Sequence, residues 1–194
     1  MTPLDPLPTE LQVWQSFYML TGTAAATLTG LMFVAVTFGS SLVTKETAQS
    51  TRAFLDPTYM HFVQVLLTAC LLSVPTLGRS VLGCVLIGVG AFRLARLHWV
   101  FGRYRDAQRQ HGDIELSDWV MSIVLPLLCH ASLMAIGAGF ILRKAAAPSA
   151  LAVVTMVLLF IGIHGAWELF VWMALAVGER RRDPPKQDPP QEGG

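Results

Sequence analysis

Residues 151–177 read LAVVTMVLLFIGIHGAWELFVWMALAV. The run is longer than the ~20 apolar residues that cross a bilayer as a helix. It is interrupted by one imidazole and one carboxylate, His164 and Glu168, one helical turn apart. The whole chain shares its character. Of its 194 residues, 53% are hydrophobic and only 14% charged, with a mean hydropathy of +0.52. A soluble domain carries about 25% charge, and one of this length could not hide so much apolar surface. The pattern predicts an all-α integral membrane protein with five transmembrane helices.

The punctuation between apolar runs sets the boundaries. Thr9 and Gln12 fit a capping box, so the first helix is placed at about 10–43, with Trp14 and Tyr18 at the membrane interface. Asp56-Pro57 reads as a cap and first helical residue, giving a second helix at about 57–74 that Pro75 ends. The third is expected at about 81–105. Ser117 or Asp118 caps a fourth at about 118–142, and Pro148-Ser149 opens a fifth at about 149–177, with Gly178 as its stop. Residues 10–177 thus form one transmembrane domain. Residues 1–9 are an extracytoplasmic tail without the basic start of a signal peptide. Residues 178–194, GERRRDPPKQDPPQEGG, are a disordered cytoplasmic tail. Orientation follows the basic residues. Lys45, Arg52, Arg93, Arg96, Arg103, Arg105, Arg109, Arg180, Arg181, Arg182 and Lys186 share one side, against Arg79, Arg143 and Lys144 on the other. The N-terminus is therefore expected outside and the C-terminus in the cytoplasm.

Ionisable groups at mid-bilayer cost about 2.5–3.5 kcal/mol each and call for a partner. Glu168 and Arg93 fall at similar depth and are expected to pair, with Arg96 as second choice. His164 shares a face with Glu168. His130 lies as far before the turn RKAAAPS as His164 lies after it. The three are expected inside the bundle, as hydrogen-bonded helix glue, as a proton path His130–His164–Glu168, or as a haem or divalent-metal ligand set. No cofactor is assigned. Pro126 is expected to kink the fourth helix one turn before His130.

Three stripes accompany these groups. On the first helix, Ser16, Thr23, Thr27, Gly30, Val34, Thr37 and Ser41 recur at heptad-like spacing. They read as a close-packing face or as a hydroxyl-lined pore wall in an oligomer. On the second, His61, Gln64 and Thr68 form a polar stripe, with His61 at the interface and Gln64 facing protein or water. On the third, Cys84, Gly88, Ala91 and Ala95 read as a close-packing surface, continued by a collar of His98, Trp99, Arg103 and Arg105. Cys70, Cys84 and Cys129 read as buried thiols. Walker, GxSxG, HExxH and GxGxxG signatures are missing, and a net charge of +1 gives no nucleic-acid footprint.

The stretch WQSFYMLTGTAAATLTGLMFVAVTFG, from Trp14 to Gly39, resembles the first span of uncharacterised small bacterial multi-pass inner-membrane proteins. Some of these are labelled modulators of the FtsH membrane protease. The resemblance implies a bacterial inner-membrane protein with a regulatory role and supplies no catalytic residues. Two expectations follow. The first is a non-enzymatic accessory, scaffold or regulator that binds another membrane protein or a second copy of itself. The second is an oligomeric ion channel or proton-coupled transporter, using the hydroxyls of the first helix or the His130–His164–Glu168 line.

Overall fold

The computed structural model describes residues 12–39, 48–74, 77–108 and 123–182, with side chains described for most of them. Among the described residues it is all-helical, with five helices: α1 Gln15–Gly39, α2 Ala48–Leu72, α3 Arg79–Gln108, α4 Leu125–Ile141 and α5 Ala147–Arg182. Two stretches, Gln15–Thr37 and Ala147–Leu175, are long and apolar enough to cross a membrane; Thr58–Leu72 and Leu125–Ile141 are shorter apolar helices. Large apolar side chains, among them Leu20, Phe33, Phe92, Trp167, Phe170 and Leu175, lie on the outside of the bundle.

The helices outrun several sequence boundaries. α2 begins at Ala48 and passes through Asp56-Pro57, which therefore do not start it. An interior proline gives up one helical N–H and crowds the carbonyl four residues back, at a cost of about 3 kcal/mol. α5 passes Gly178 and ends at Arg182, because the residues that follow the glycine are good helix formers. Pro126 stands in the first turn of α4, just after a π turn at 123–124. The α4–α5 turn closes as a Schellman motif. Lys144 N–H bonds to Gly139 O at 2.9 Å and Arg143 N–H to Phe140 O at 3.2 Å. Arg143 takes the left-handed position, φ 55°, that glycine usually fills. The N-terminal tail, Ser41, the cap at Ser117 or Asp118 and the tail from 183 lie outside the described residues, as do the side chains of His98, Trp99, Arg103 and Arg105.

α2 is the hub. It packs along α1 and α5, and side-chain hydrogen bonds tie it to α3 and α4. Its buried residues include Thr58, His61, Phe62, Gln64, Val65, Thr68 and Ala69, which share one broad face. Helix partners meet through glycine. A Cβ on Gly22 would stand 2.7 Å from Ala69 Cβ, one on Gly162 would stand 2.7 Å from the Phe62 ring, and one on Gly165 would collide with the Thr58 hydroxyl. The tightest crossing is α3 on α4. There a Cβ on Gly83 would lie 2.6 Å from Gly137 O, and a Cβ on Gly137 would lie 2.7 Å from Gly83 O. Seven residues along α3, Gly90 repeats the contact against Met134 and the His130 carbonyl. The close-packing surface of α3 is therefore this one. Cys84, Gly88, Ala91 and Ala95 face outward. Small residues lie on both faces of α3, and only the complement on α4 selects between them.

A Gly137→Leu substitution should destabilise the fold by about 2–3 kcal/mol through overpacking. Gly88→Leu, with nothing within 4 Å of its Cβ, should stay within about 0.5 kcal/mol of wild type. Unfolding in mixed micelles, followed by circular dichroism, checks both.

Candidate functional site: a buried polar cluster around His130

Several buried polar side chains face one another between α2 and α4. His61, Gln64, Thr68 and His130 are all buried, Gln64 at 3% and His130 at 4% exposure. The His130 Nε2 lies 3.0 Å from Gln64 Oε1, and its Nδ1 donates to the Pro126 carbonyl one turn back. The His61 and His130 rings stand 6.3 Å apart, centroid to centroid. Thr68 donates to Gln64 O at 2.8 Å, within its own helix. The polar stripe of α2 is thus the inside of the bundle. His61 is buried within the bundle.

Arg93 reaches this cluster from α3. It is half-buried, and its Nη2 donates to the Met60 carbonyl at 2.7 Å. The expected Glu168–Arg93 pair is not formed. Glu168 Oε1 lies 3.1 Å from His164 Nε2 instead, with the two side chains 42% and 37% exposed on the surface of α5. α5 turns Leu151, Thr155, Leu158, Ile161, Gly162 and Leu169 inward, which leaves the His164–Glu168 edge at the periphery. Arg93 meets the Met60 carbonyl instead. Arg96 is exposed.

The proposed line through His130, His164 and Glu168 is therefore divided. His130 is spent on Pro126 and Gln64 in the core, and His164 on Glu168 outside. The same division separates the proposed haem or metal ligands. Among the described residues no group of three His, Cys, Asp or Glu side chains could hold a metal ion. The cysteines also part company: Cys129 is buried, while Cys70 and Cys84 are exposed, and all three are free.

The stripe of α1 points away from its own bundle. Ser16, Thr23, Thr27, Gly30, Val34 and Thr37 are all exposed, and a Cβ on Gly30 would meet nothing within 4 Å. Thr23, Thr27 and Thr37 donate to the carbonyls of Met19, Thr23 and Phe33 on their own helix. The inward face is instead Tyr18, Thr21, Gly22, Ala25 and Met32. The contact that sequence reasoning missed is Gln64 with His130. Its signal was present, because a glutamine in an apolar run needs a partner, and His130 was an unassigned one.

If Arg93 and Glu168 do not interact, the stability changes of Arg93→Met and Glu168→Gln should add within about 0.5 kcal/mol in a double-mutant cycle. Larger coupling would restore the pair. No family model, curated protein or solved structure matches the chain.

Proposed function

We propose that the protein is a five-span accessory protein of the bacterial inner membrane. It would act without chemistry of its own, by associating through α1 with another membrane protein or a second copy. The observation that carries this reading is the outward stripe Ser16–Thr23–Thr27–Gly30–Thr37, which none of the described helices covers. Small side chains allow close helix approach, and threonines already bonded to their own backbone present little polarity to a partner. The His164–Glu168 pair, half-exposed on α5, is a second surface that lipid solvates poorly. A partner would shield it. The apolar exterior and the apolar runs support five spans, and the basic residues support a cytoplasmic C-terminus. The resemblance of Trp14–Gly39 to small bacterial multi-pass proteins agrees with a regulatory role.

A second reading keeps the same stripe but arranges it around an oligomer axis, as the wall of an ion channel. Thr23 and Thr27 favour it, because exposed hydroxyls on one face are what such a wall needs. Proton-coupled transport is the companion possibility, through the buried His130 cluster.

In a background lacking the natural cysteines, single cysteines at Thr23 or Thr27 should form cross-linked adducts in native membranes. Adding Gly30→Leu should reduce those adducts severalfold with the fold intact. Adducts absent from every outward α1 position would mean that the stripe faces lipid, which retires this reading. Selective ion flux from reconstituted protein, lost in Thr23→Val/Thr27→Val, would favour the channel. For orientation, a cysteine at Ala145 should be labelled from outside by a membrane-impermeant reagent, and one at Arg182 only after permeabilisation. The reverse pattern would invert the topology.

A further inference from the structure

Both ring nitrogens of His130 meet carbonyl oxygens. Nδ1 faces the backbone oxygen of Pro126, and Nε2 faces Gln64 Oε1 at 3.0 Å. A carbonyl oxygen only accepts, and a neutral imidazole has a single N–H. As arranged, only an imidazolium can donate to both. The neutral ring leaves two acceptors facing one another at the Gln64 end.

The Gln64 amide can remove that conflict. Its oxygen and nitrogen are nearly equal in size and exchange places by a half-turn about the last side-chain bond. In the present arrangement Gln64 Nε2 is buried with no hydrogen-bond partner, an arrangement that native interiors avoid. The half-turn aims this same N–H at His130 Nε2, which then accepts. One rotation thus gives the neutral ring two good bonds and gives the orphaned amide nitrogen an acceptor.

We propose that His130 is a reversible proton-binding site in the centre of the bundle, read out by a two-position Gln64 amide. In the neutral state Nδ1–H donates to Pro126 and Nε2 accepts from the Gln64 amide nitrogen. When a proton binds at Nε2, the lone pair becomes an N–H bond, the ring takes one positive charge and the amide turns to offer Oε1. The device joins α4 to the hub helix α2 and needs no backbone movement. Its surroundings are defined on each packed element. α2 contributes His61, whose ring is 6.3 Å away. α3 contributes Arg93, held by Met60 O. α5 carries His164 and Glu168, which bond to one another. Among the described residues no carboxylate forms an ion pair with His130, so nothing there holds it permanently as the cation.

Solid-state nitrogen NMR on the full chain, labelled at histidine and reconstituted in lipid bilayers, tests this. His130→Asn assigns the signals. At about pH 8 the wild-type ring should carry its proton on Nδ1, in about tenfold excess over the other tautomer, the ratio expected for one net hydrogen bond. Towards about pH 5, the range in which histidine titrates, a second N–H should appear on the same ring. Gln64→Leu should move the Nε2 signal to that of an acceptor without a hydrogen bond. Gln64→Glu, whose ionised side chain only accepts, should hold both N–H groups where wild type has one. A neutral wild-type ring protonated at Nε2, or no second N–H on acidification, would overturn the proposal. So would a Gln64→Leu protein with an unmoved Nε2 signal. The wild-type measurement decides the matter even where a variant fails to fold. It does not depend on whether α1 binds a partner.

Discussion

At the crossing of α3 and α4 the backbone of Gly83 lies directly against that of Gly137, with no side chain between them. Two methyl groups there would force the helices apart. Much of the interior depends on this contact being allowed. It brings Gly90 under the His130 carbonyl, and with α3 and α4 drawn together, Arg93 and His130 both reach α2. Arg93 can then use Met60 O, and His130 can use Gln64. Without the glycines, each of these polar groups would be left to find water or lipid.

The same logic explains why the most polar apolar helix is the central one. α2 contributes His61, Gln64 and Thr68 to the interior, whereas α1 and α5 expose leucine, phenylalanine and tryptophan outward. Buried polar side chains are satisfied by other protein groups, so the face of α2 that carries them turns inward while Leu67 and Cys70 on its other side are exposed. A bonded glutamine–histidine pair contributes modestly, on the order of 0.6 kcal/mol in membrane proteins. Its larger effect is on specificity, because an unpaired buried donor is penalised in any competing arrangement.

Part of the site was legible. Glutamine in an apolar run called for a partner, and His130 beside Pro126 was visible as an inward candidate. The pairing itself was not. Depth counted along the chain put Arg93 near Glu168 and His130 near His164, yet depth says nothing of rotation about the helix axis. α5 turns Gly162 and Gly165 toward Phe62 and Thr58 of α2, and that fixes His164 and Glu168 at the edge. On α1 and α3 the difficulty was different. Each has small residues on two faces, so spacing alone could not say whether Thr23 or Gly22, Gly88 or Gly90, would be the inner one.

By itself, then, the sequence determined the helical class and the approximate order of the five described helices, because long apolar runs bounded by turn residues are too long for strands. Only the structure shows that helices run past their punctuation, as at Pro57 and Gly178. It also decided the azimuth of every helix. That depends on which side chain's volume, or lack of it, fits a particular neighbour, as Gly83 fits Gly137 and Gly22 fits Ala69. The information for that choice is divided between segments far apart in the chain and has meaning only when they touch.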